Sequence, residues 1–87
     1  MRSYQLQITT PAGVLFEGDA TQLSVKAVDG ELAILAGHIP VTTALKAGEC
    51  RVYLEDGTIR HGDCSGGLLS VKKEKVSLLS SDFSWKD

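Results

Sequence analysis

Cysteine is scarce in this sequence, and the residues that could bind a metal stand far apart. The 87 residues include two cysteines and two histidines, and no Cys-x-x-Cys pair occurs. Cys50 and Cys64 therefore predict neither a disulfide framework nor a zinc site, and His38 and His61 stand at no ligand-like spacing from them. We expect two ordinary reduced thiols, and we predict no metal site.

An excess of one charge and long apolar runs are also lacking. Nine basic and eleven acidic residues give a formal net charge of −2. This balance argues against a general binder of nucleic acids or anionic membranes, because such binding needs a clustered positive field. No apolar run approaches the roughly 20 residues of a membrane-spanning helix. The first residues, MRSYQ, show no secretory signal, so we expect a cytosolic protein or one facing an equivalent compartment.

The length allows one domain over residues 1–87 and leaves no room for a second. A chain near this size buries only a little over ~60% of its unfolded surface, so almost every apolar side chain must help to build the core. Little of the chain remains for an active-site cavity. The size therefore favours a binding or assembly role over an enzyme.

The dominant hydrophobic period is two, which is typical of strands with one buried face. Tyr4, Leu6 and Ile8 alternate with polar residues, and the same alternation recurs along the chain. Two Asp-Gly pairs, at residues 29–30 and 56–57, are strong hairpin signals. Many short strands separated by turn signals predict an all-β fold, either a β-sandwich or a flattened barrel.

Glycines and lysines mark three further features of the predicted strands. Residues 14–16 are expected to form a short apolar strand that Gly18 and Asp19 end. Gly66 and Gly67 indicate a bulge or a close approach of two backbones. The segment KKEK, residues 72–75, is expected to form a solvated turn between two strands.

The catalytic motifs that can be tested on this chain fail. Gly13 and Gly18 have the spacing of a phosphate loop, but Asp19 and Ala20 stand where lysine and a hydroxyl residue are needed. Ser65 lacks the preceding Gly-x of a nucleophile elbow. Neither histidine has a nucleophile placed beside it by the sequence. We therefore predict no catalytic residue, no cofactor site and no small-molecule substrate.

A carrier domain is the alternative that these residues leave open. Lipoyl and biotinyl carriers are all-β domains that display a modifiable lysine at the tip of a tight hairpin. Lys26 lies near a predicted hairpin, but the turn falls at Asp29 and Gly30, which places Lys26 in the strand. The signature that flanks a modified lysine is also missing. A solvated strand face is the plainer interpretation of Lys26.

The most informative part of the chain is residues 29–48, which read DGELAILAGHIPVTTALKAG. This segment resembles the epsilon subunit of bacterial and chloroplast F-type ATP synthases, whose motif is Gly-Glu-Leu-x-Ile-x-x-Gly-His-x-Pro followed by Thr-x-Leu/Ile-x-x-Gly. Residues 65–71, SGGLLSV, match a second family signature, Ser-Gly-Gly-x-x-x-Val. The opening Tyr4-x-Leu6 strand and the later Phe16-x-Gly18 also fit. The resemblance covers nearly the whole chain, and two ordered motifs are far more specific than one.

The resemblance implies a flattened β-sandwich of ten strands at the foot of a rotary central stalk. It implies contacts with the gamma subunit on one side and with the membrane-embedded ring of c subunits below. It also implies a subunit that performs no chemistry itself and that couples proton transport to ATP synthesis by turning with gamma and the c ring. Its implied location is peripheral, on the cytoplasmic side of a bacterial inner or plasma membrane.

The resemblance assigns Asp29, Gly30 and Glu31 to the contact with the c ring, where the family's partner loop carries arginine. Glu31 follows the predicted turn, so we expect its carboxylate at a hairpin tip. A carboxylate that faces a guanidinium accepts charge-assisted hydrogen bonds, which resist shear at a contact. Without the motif, an ordinary solvated turn acid would be the simpler interpretation of Glu31.

The resemblance places a second set of residues near gamma and the ring, namely His38, Thr42 and Thr43. His38 lies between Gly37 and Pro40, whose ring restricts the backbone at residue 40, and we expect His38 on an exposed connection. Connections on a rigid scaffold are suitable binding surfaces. Taken alone, His38 would be a structural loop histidine.

The end of the chain departs from the family pattern. Most family members continue into a helical hairpin that can inhibit ATP hydrolysis, but the last residues here leave no length for two helices of about 11–12 residues each. Residues 81–84, SDFS, match the family's Ala-Asp-x-Ala only in part. This difference favours a naturally short subunit over a truncated one.

We expect this chain to support coupling without inhibition by a helical arm. Adding it to an epsilon-depleted ATP synthase should leave ATP hydrolysis largely uninhibited, which an assay of phosphate release would measure. A full-length epsilon subunit serves as the comparison. Inhibition as strong as that of the full-length subunit would contradict the expectation.

Overall fold

The computed structural model describes residues 2–37 and 39–86. Nine strands occupy this part of the chain, and it contains no helix. The strands are β1 (Tyr4–Thr10), β2 (Gly13–Ala27), β3 (Gly30–Leu35), β4 (Val41–Leu45), β5 (Gly48–Leu54), β6 (Ile59–Cys64), β7 (Gly67–Val71), β8 (Lys75–Ser80) and β9 (Phe83–Trp85). The predicted all-β class is confirmed. No helix among these residues has the length and apolar character needed to cross a bilayer.

Strand β2 is 15 residues long and pairs with four other strands. Its first half pairs with β1, from Gly13 to Ala20, and its second half pairs with β3 on one edge and with β5 on the other. A register shift between Ala20 and Gln22 marks the change of partner. The described residues contain nine strands where the resemblance implied ten, and β2 is continuous from Gly13 to Ala27.

The prediction that Gly18 and Asp19 end a short strand was wrong. Both residues lie inside β2, where Gly18 pairs with Leu6 and Asp19 pairs with Gln5. The φ angle of Gly18 is not positive, so its backbone remains extended like that of its neighbours. Glycine weakens a strand but does not end it where the chain does not turn. Here the hydrogen bonds to β1 continue past Gly18, so β2 continues as well.

Five strands close on themselves in the order β1, β8, β7, β4 and β2, because β2 also pairs with β1. The ring closes where Ala27 of β2 pairs with Leu45 of β4. Two backbone hydrogen bonds flank this pair: the Val28 N–H donates to the Ala44 carbonyl at 3.2 Å, and the Lys46 N–H donates to the Lys26 carbonyl at 2.8 Å. Strands β5, β6 and β9 extend from one edge of β2, and β3 pairs with its other edge.

The core consists of the side chains that alternate inward along these strands. The largest fully buried ones are Leu6, Ile8, Leu23, Ile34, Leu69, Leu78, Val52, Val76 and Cys50. Tyr4 is buried as well, and its hydroxyl donates to the Ile34 carbonyl at 2.8 Å, which satisfies the polar end of the ring. The period-two pattern of the sequence therefore indicated the buried face correctly.

Both predicted hairpins form. Val28 and Asp29 make the turn between β2 and β3, and Gly30 begins β3 with a φ of 124°. In the second hairpin Gly57 has a φ of 90°, and Asp56 Oδ1 accepts a 2.8 Å hydrogen bond from the Thr58 N–H. The predicted turn at residues 72–75 is also present, although Lys75 already belongs to β8.

Gly67 occupies a position where two backbones approach closely, as its sequence context indicated. It pairs with Ser80 and has a φ of 152°. A Cβ atom here would collide with the carbonyl oxygen of Leu79 and lie 3.0 Å from the Cα of Ser80. Backbone atoms cannot move aside as the end of a flexible side chain can, so only glycine fits.

We expect Gly67→Ala to lower the free energy of unfolding by more than about 3 kcal/mol, because it combines a backbone collision with a strained φ. Urea denaturation followed by circular dichroism would measure the loss. Gly57→Ala is the matched control, because Gly57 also has a positive φ but open space around it, and it should cost about 1 kcal/mol. Equal losses in the two variants would contradict the close-approach explanation.

Candidate functional site

The hairpin between β2 and β3 carries the residues assigned to the c ring. Val28 and Asp29 form its tip, and Gly30 has no atom within 4 Å of where a Cβ would be. Glu31 is the second residue of β3 and pairs with Lys26. The prediction that Glu31 stands at the tip was therefore wrong, because the turn uses the two residues before Gly30. Asp29 is the carboxylate at the tip, and Glu31 is exposed on the adjoining strand.

The Glu31 carboxylate has no ion-pair partner within residues 2–37 and 39–86. Lys26 lies directly across the strand pair, but its methylene groups extend over Gly48 of β5. A Cβ at Gly48 would be 2.5 Å from the Lys26 Cδ atom. Glu31 is thus an exposed carboxylate with its charge uncompensated, which suits a contact with a cationic partner.

A shallow pocket of about 200 Å³ lies beside Glu31 on the same face. Two basic side chains and two acidic side chains line it, together with Ser24 of β2. The charged residues are Lys26, Arg51, Glu31 and Glu49. Charges of both signs line the pocket, so it has no strong preference for an anion or a cation. The pocket does not carry a ligand site by itself.

Lys26 does not have the geometry of a modified carrier lysine. It lies within β2, one residue before the pair that closes the ring, and its side chain extends along the sheet over Gly48. Carrier lysines need a hairpin tip to reach an enzyme's active site. The carrier alternative is therefore not favoured.

Next to this face, the Glu49 side chain contacts Lys86 and His61, and Lys86 also lies near Asp63. Its Oε2 atom accepts from Lys86 Nζ at 3.2 Å and lies 3.3 Å from His61 Nδ1, and Lys86 Nζ is 3.8 Å from Asp63 Oδ1. The hydrogen bond from Lys86 lowers the pKa of Glu49, and the same bond raises the pKa of Lys86. The cluster joins the end of the described chain to β5 and β6.

The second predicted set lies around β4. Thr42 and Thr43 belong to this strand, where they pair with Ser70 and Leu69 of β7. Thr42 is exposed and Thr43 is half-buried. His38 lies outside the described residues, so its predicted role stays a prediction.

The ring closure brings the two predicted surfaces together at one place. The Val28 N–H at the hairpin donates to the Ala44 carbonyl, and Ala44 directly follows Thr43. The hairpin with Asp29 and Glu31 therefore rests against the end of β4 that follows the two threonines. Local sequence patterns did not indicate this proximity.

An apolar row that the sequence reasoning did not single out crosses the outer face of the ring. Register places its members side by side on β4, β7, β8, β1 and β2: Ala44, Leu68, Leu79, Thr9 and Val14. Leu68, Leu79 and Val14 are 43%, 51% and 52% exposed. A groove of about 480 Å³ runs beside Leu68, Leu79 and Pro11. The available signal was the Leu-Leu pair in each of β7 and β8, since one of two consecutive leucines in a strand must face outward.

The thiol and hydroxyl groups that could act as nucleophiles, those of Cys50 and Ser65, are buried or hydrogen-bonded to other side chains. Burial raises the pKa of the Cys50 thiol to about 12, with Cys64 nearby as a smaller cause, so Cys50 remains protonated. The Ser65 hydroxyl contacts those of Ser80 at 3.2 Å and Ser81 at 3.0 Å, with no base in these contacts. Within the described part of the chain, no three His, Cys, Asp or Glu side chains are grouped so as to hold a metal ion.

Comparison with known proteins gives consistent matches. The family model described as "ATP synthase, Delta/Epsilon chain, beta-sandwich domain" matches residues 3–86. The ATP synthase epsilon chain of Bacillus pumilus is 39% identical over 92% of this chain and 60% of its own length. That of Caldicellulosiruptor saccharolyticus is 32% identical over 100% of this chain and 63% of its own length. The chain therefore spans about 60% of the length of these relatives.

A solved structure shares the fold. A chain in the cryo-EM structure of the Euglena gracilis mitochondrial ATP synthase, OSCP/F1/c-ring in rotational state 1, superposes with a TM-score of 0.90 over 95% of this chain and 53% of that chain. The sequence identity is 21%, so this match concerns the architecture.

We expect the Glu49 cluster to make thermal stability depend on pH. Because the folded-state pKa of Glu49 lies below its usual 4.5, the ion pair contributes fully above that value and is lost as the pH falls through the folded-state pKa. Glu49→Gln should lower the melting temperature slightly at pH 7, and this effect should shrink as the pH falls below 4.5. Differential scanning calorimetry across this range would measure both. Glu17→Gln is the control, because Glu17 is exposed and outside the cluster, and a pH dependence equal to that of Glu49→Gln would contradict the explanation.

Proposed function

Because the chain belongs to the family of the ATP synthase delta/epsilon chain β-sandwich domain, we propose that it is a rotor component of an F-type ATP synthase. In this role it joins the gamma subunit to the c ring and couples proton transport to ATP synthesis, while catalysis takes place in other subunits. The observation that carries the proposal is the family match over residues 3–86 of the 87-residue chain. The domain is peripheral to the membrane through its partners, on the cytoplasmic side in a bacterium.

A closed arrangement of strands suits a part that transmits torque. The ring of β1, β8, β7, β4 and β2 has paired neighbours on both sides of every member, so shear on one strand is resisted by hydrogen bonds to two others. The interior is a continuous cluster of buried apolar side chains, and protein interiors of this kind are generally close-packed and resist compression. A load applied at one surface therefore reaches the opposite surface with little deformation.

The hairpin of β2 and β3 is the proposed contact with the c ring. Asp29 and Glu31 present two exposed carboxylates there, and Gly30 allows a close approach because its surroundings are open. The family's ring loop carries arginine, whose planar guanidinium binds carboxylates with two parallel hydrogen bonds. Glu31 has no ion pair with any residue of 2–37 or 39–86, which supports this role because no partner among them must first be released.

The region around β4 is the proposed contact with gamma. Thr42 and Thr43 supply hydroxyl groups, and the adjoining apolar row with Leu68 and Leu79 supplies surface that loses water on binding. His38 belongs to the same proposed surface through the resemblance. The hairpin rests against the end of β4. Force from the c ring therefore passes to the gamma contact through the backbone hydrogen bond between Val28 and Ala44.

Reconstitution tests the proposal. The tagged chain is added to an ATP synthase depleted of epsilon in membrane vesicles, and the complex is recovered and assayed for proton-driven ATP synthesis. We expect gamma and the c ring to be recovered with the chain and synthesis to be restored. A chain that binds neither partner and restores no synthesis would contradict the function.

Glu31→Arg should weaken attachment to the c ring about tenfold, because the variant replaces a charge-assisted contact by repulsion between like charges. Proton-driven ATP synthesis should fall in the same vesicles. The stability of the isolated domain should fall by less than about 1 kcal/mol, since Glu31 is exposed and unpaired in the described structure and the new arginine would face Lys26 across the strand pair.

The matched control is Glu55→Arg, which makes the same charge change in the exposed turn between β5 and β6. This variant should bind the ring like the natural sequence. Equal weakening by the two variants would show that overall charge, and not the hairpin, governs binding. Unaltered binding by Glu31→Arg would contradict the contact itself.

A further inference from the structure

We propose that Gly48 is a positioning residue that keeps the Glu31 carboxylate available to the partner. Gly48 provides the space in which the Lys26 side chain lies, and this placement holds the lysine away from Glu31. The inference rests on the proposed contact of Glu31 with the c ring. The family motif contains Gly48, but neither the motif nor the proposed contact surfaces assign it a role.

The strand register favours an ion pair that the structure does not form. Lys26 and Glu31 are directly opposed on antiparallel strands β2 and β3. Opposed residues have Cβ atoms about 4.5–5.5 Å apart, and opposite charges at such positions attract each other. Among the described residues, however, no ion pair joins Lys26 to Glu31 or to any other carboxylate.

Gly48 accounts for this difference. It is the first residue of β5, and an added Cβ would lie 2.5 Å from Lys26 Cδ, 3.1 Å from Cγ and 3.3 Å from Cε. The methylene groups of Lys26 therefore occupy the volume that a side chain at position 48 would need. Long cationic side chains cover apolar or bare backbone surface in this manner.

Space, and not backbone conformation, is what glycine supplies at position 48. The φ angle of Gly48 is not positive, so alanine can adopt the same backbone. The colliding atoms belong to a flexible side chain, so Lys26 can move and the strands need not. Gly48→Ala is thus expected to change where Lys26 lies while preserving the fold.

Glu31 is the carboxylate to which a displaced Lys26 should turn. The pocket beside Lys26 contains two carboxylates, Glu31 and Glu49. Glu49 already contacts Lys86 and His61, whereas Glu31 lies directly opposite Lys26 and has no such contact. Arg51 lines the same pocket and repels a lysine that moves towards it. A pair of Lys26 with Glu31 would compete with a guanidinium from the partner.

Nuclear magnetic resonance on the isolated 87-residue chain tests the placement without any partner. In the natural sequence, the Lys26 side-chain methylene protons should show nuclear Overhauser contacts to the Gly48 Hα protons. In Gly48→Ala, contacts from Lys26 Hε to Glu31 Hγ should appear. If the variant shows no new contact with Glu31, the inference is wrong, whatever the function of the domain.

Ring binding in reconstituted vesicles tests the consequence. Gly48→Ala should bind the c ring about two- to fivefold more weakly, the range expected for one exposed ion pair. The double variant Lys26→Met, Gly48→Ala should regain the affinity of Lys26→Met alone, because methionine is an unbranched apolar side chain that lacks the charge. A purely structural defect at position 48 would not be rescued by removing the charge of Lys26.

The two experiments separate the inference from the proposed function. If Lys26 moves onto Glu31 in Gly48→Ala while ring binding is unchanged, Glu31 does not contact the ring and the proposed contact fails. If ring binding falls and Lys26→Met does not restore it, the positioning role of Gly48 fails. If Lys26 moves onto Glu31, ring binding weakens and Lys26→Met restores it, the results support both the positioning role of Gly48 and the proposed contact of Glu31.

Discussion

The pairing of Ala27 with Leu45 is the constraint on which the rest of this structure depends. It joins the end of β2 to the end of β4 and thereby turns a row of strands into a closed ring. Ala27 also pairs with Gly30 at its other edge, so the hairpin that follows is held against the same point. The position of both proposed contact surfaces follows from this closure. A hairpin attached to β2 alone would have no fixed relation to the threonines of β4.

The closed ring also explains how the two faces of the domain differ. One outer face carries the apolar row around Leu68 and Leu79, while the face formed by β2, β3 and β5 carries charges of both signs. On the charged face, Glu49 is engaged by Lys86 and His61, whereas Glu31 has no such partner in the described structure. Separate faces of this kind suit a domain that holds two different neighbours at once. In the proposed rotor, an apolar contact provides adhesion and a charged contact provides orientation.

Several elements were predictable because their cause is local. The hairpins at residues 28–30 and 55–58 follow from Asp-Gly pairs, which accept the backbone angles of tight turns. The close approach at Gly67, the first residue of β7, followed from the two adjacent glycines at residues 66–67. The wrong predictions also have a local origin. The local sequence predicts the end of a strand at Gly18 and Asp19, and it predicts Glu31 at the tip of the hairpin. A short segment, however, does not show which strand lies beside it. Pairing with β1 overrode the first signal, and the turn at Val28 and Asp29 overrode the second.

The amino-acid sequence by itself determined the all-β class, the inward and outward faces of most strands and the likeness to a known family, because alternation and motifs are read along the chain. Only the tertiary structure decided that Lys26 lies over Gly48, that Glu31 forms no ion pair within the described part of the chain and that the hairpin meets β4. These facts depend on which strands become neighbours. Strand pairing joins residues that are distant along the chain, and the alternation of side chains specifies a face without specifying the partner beside it.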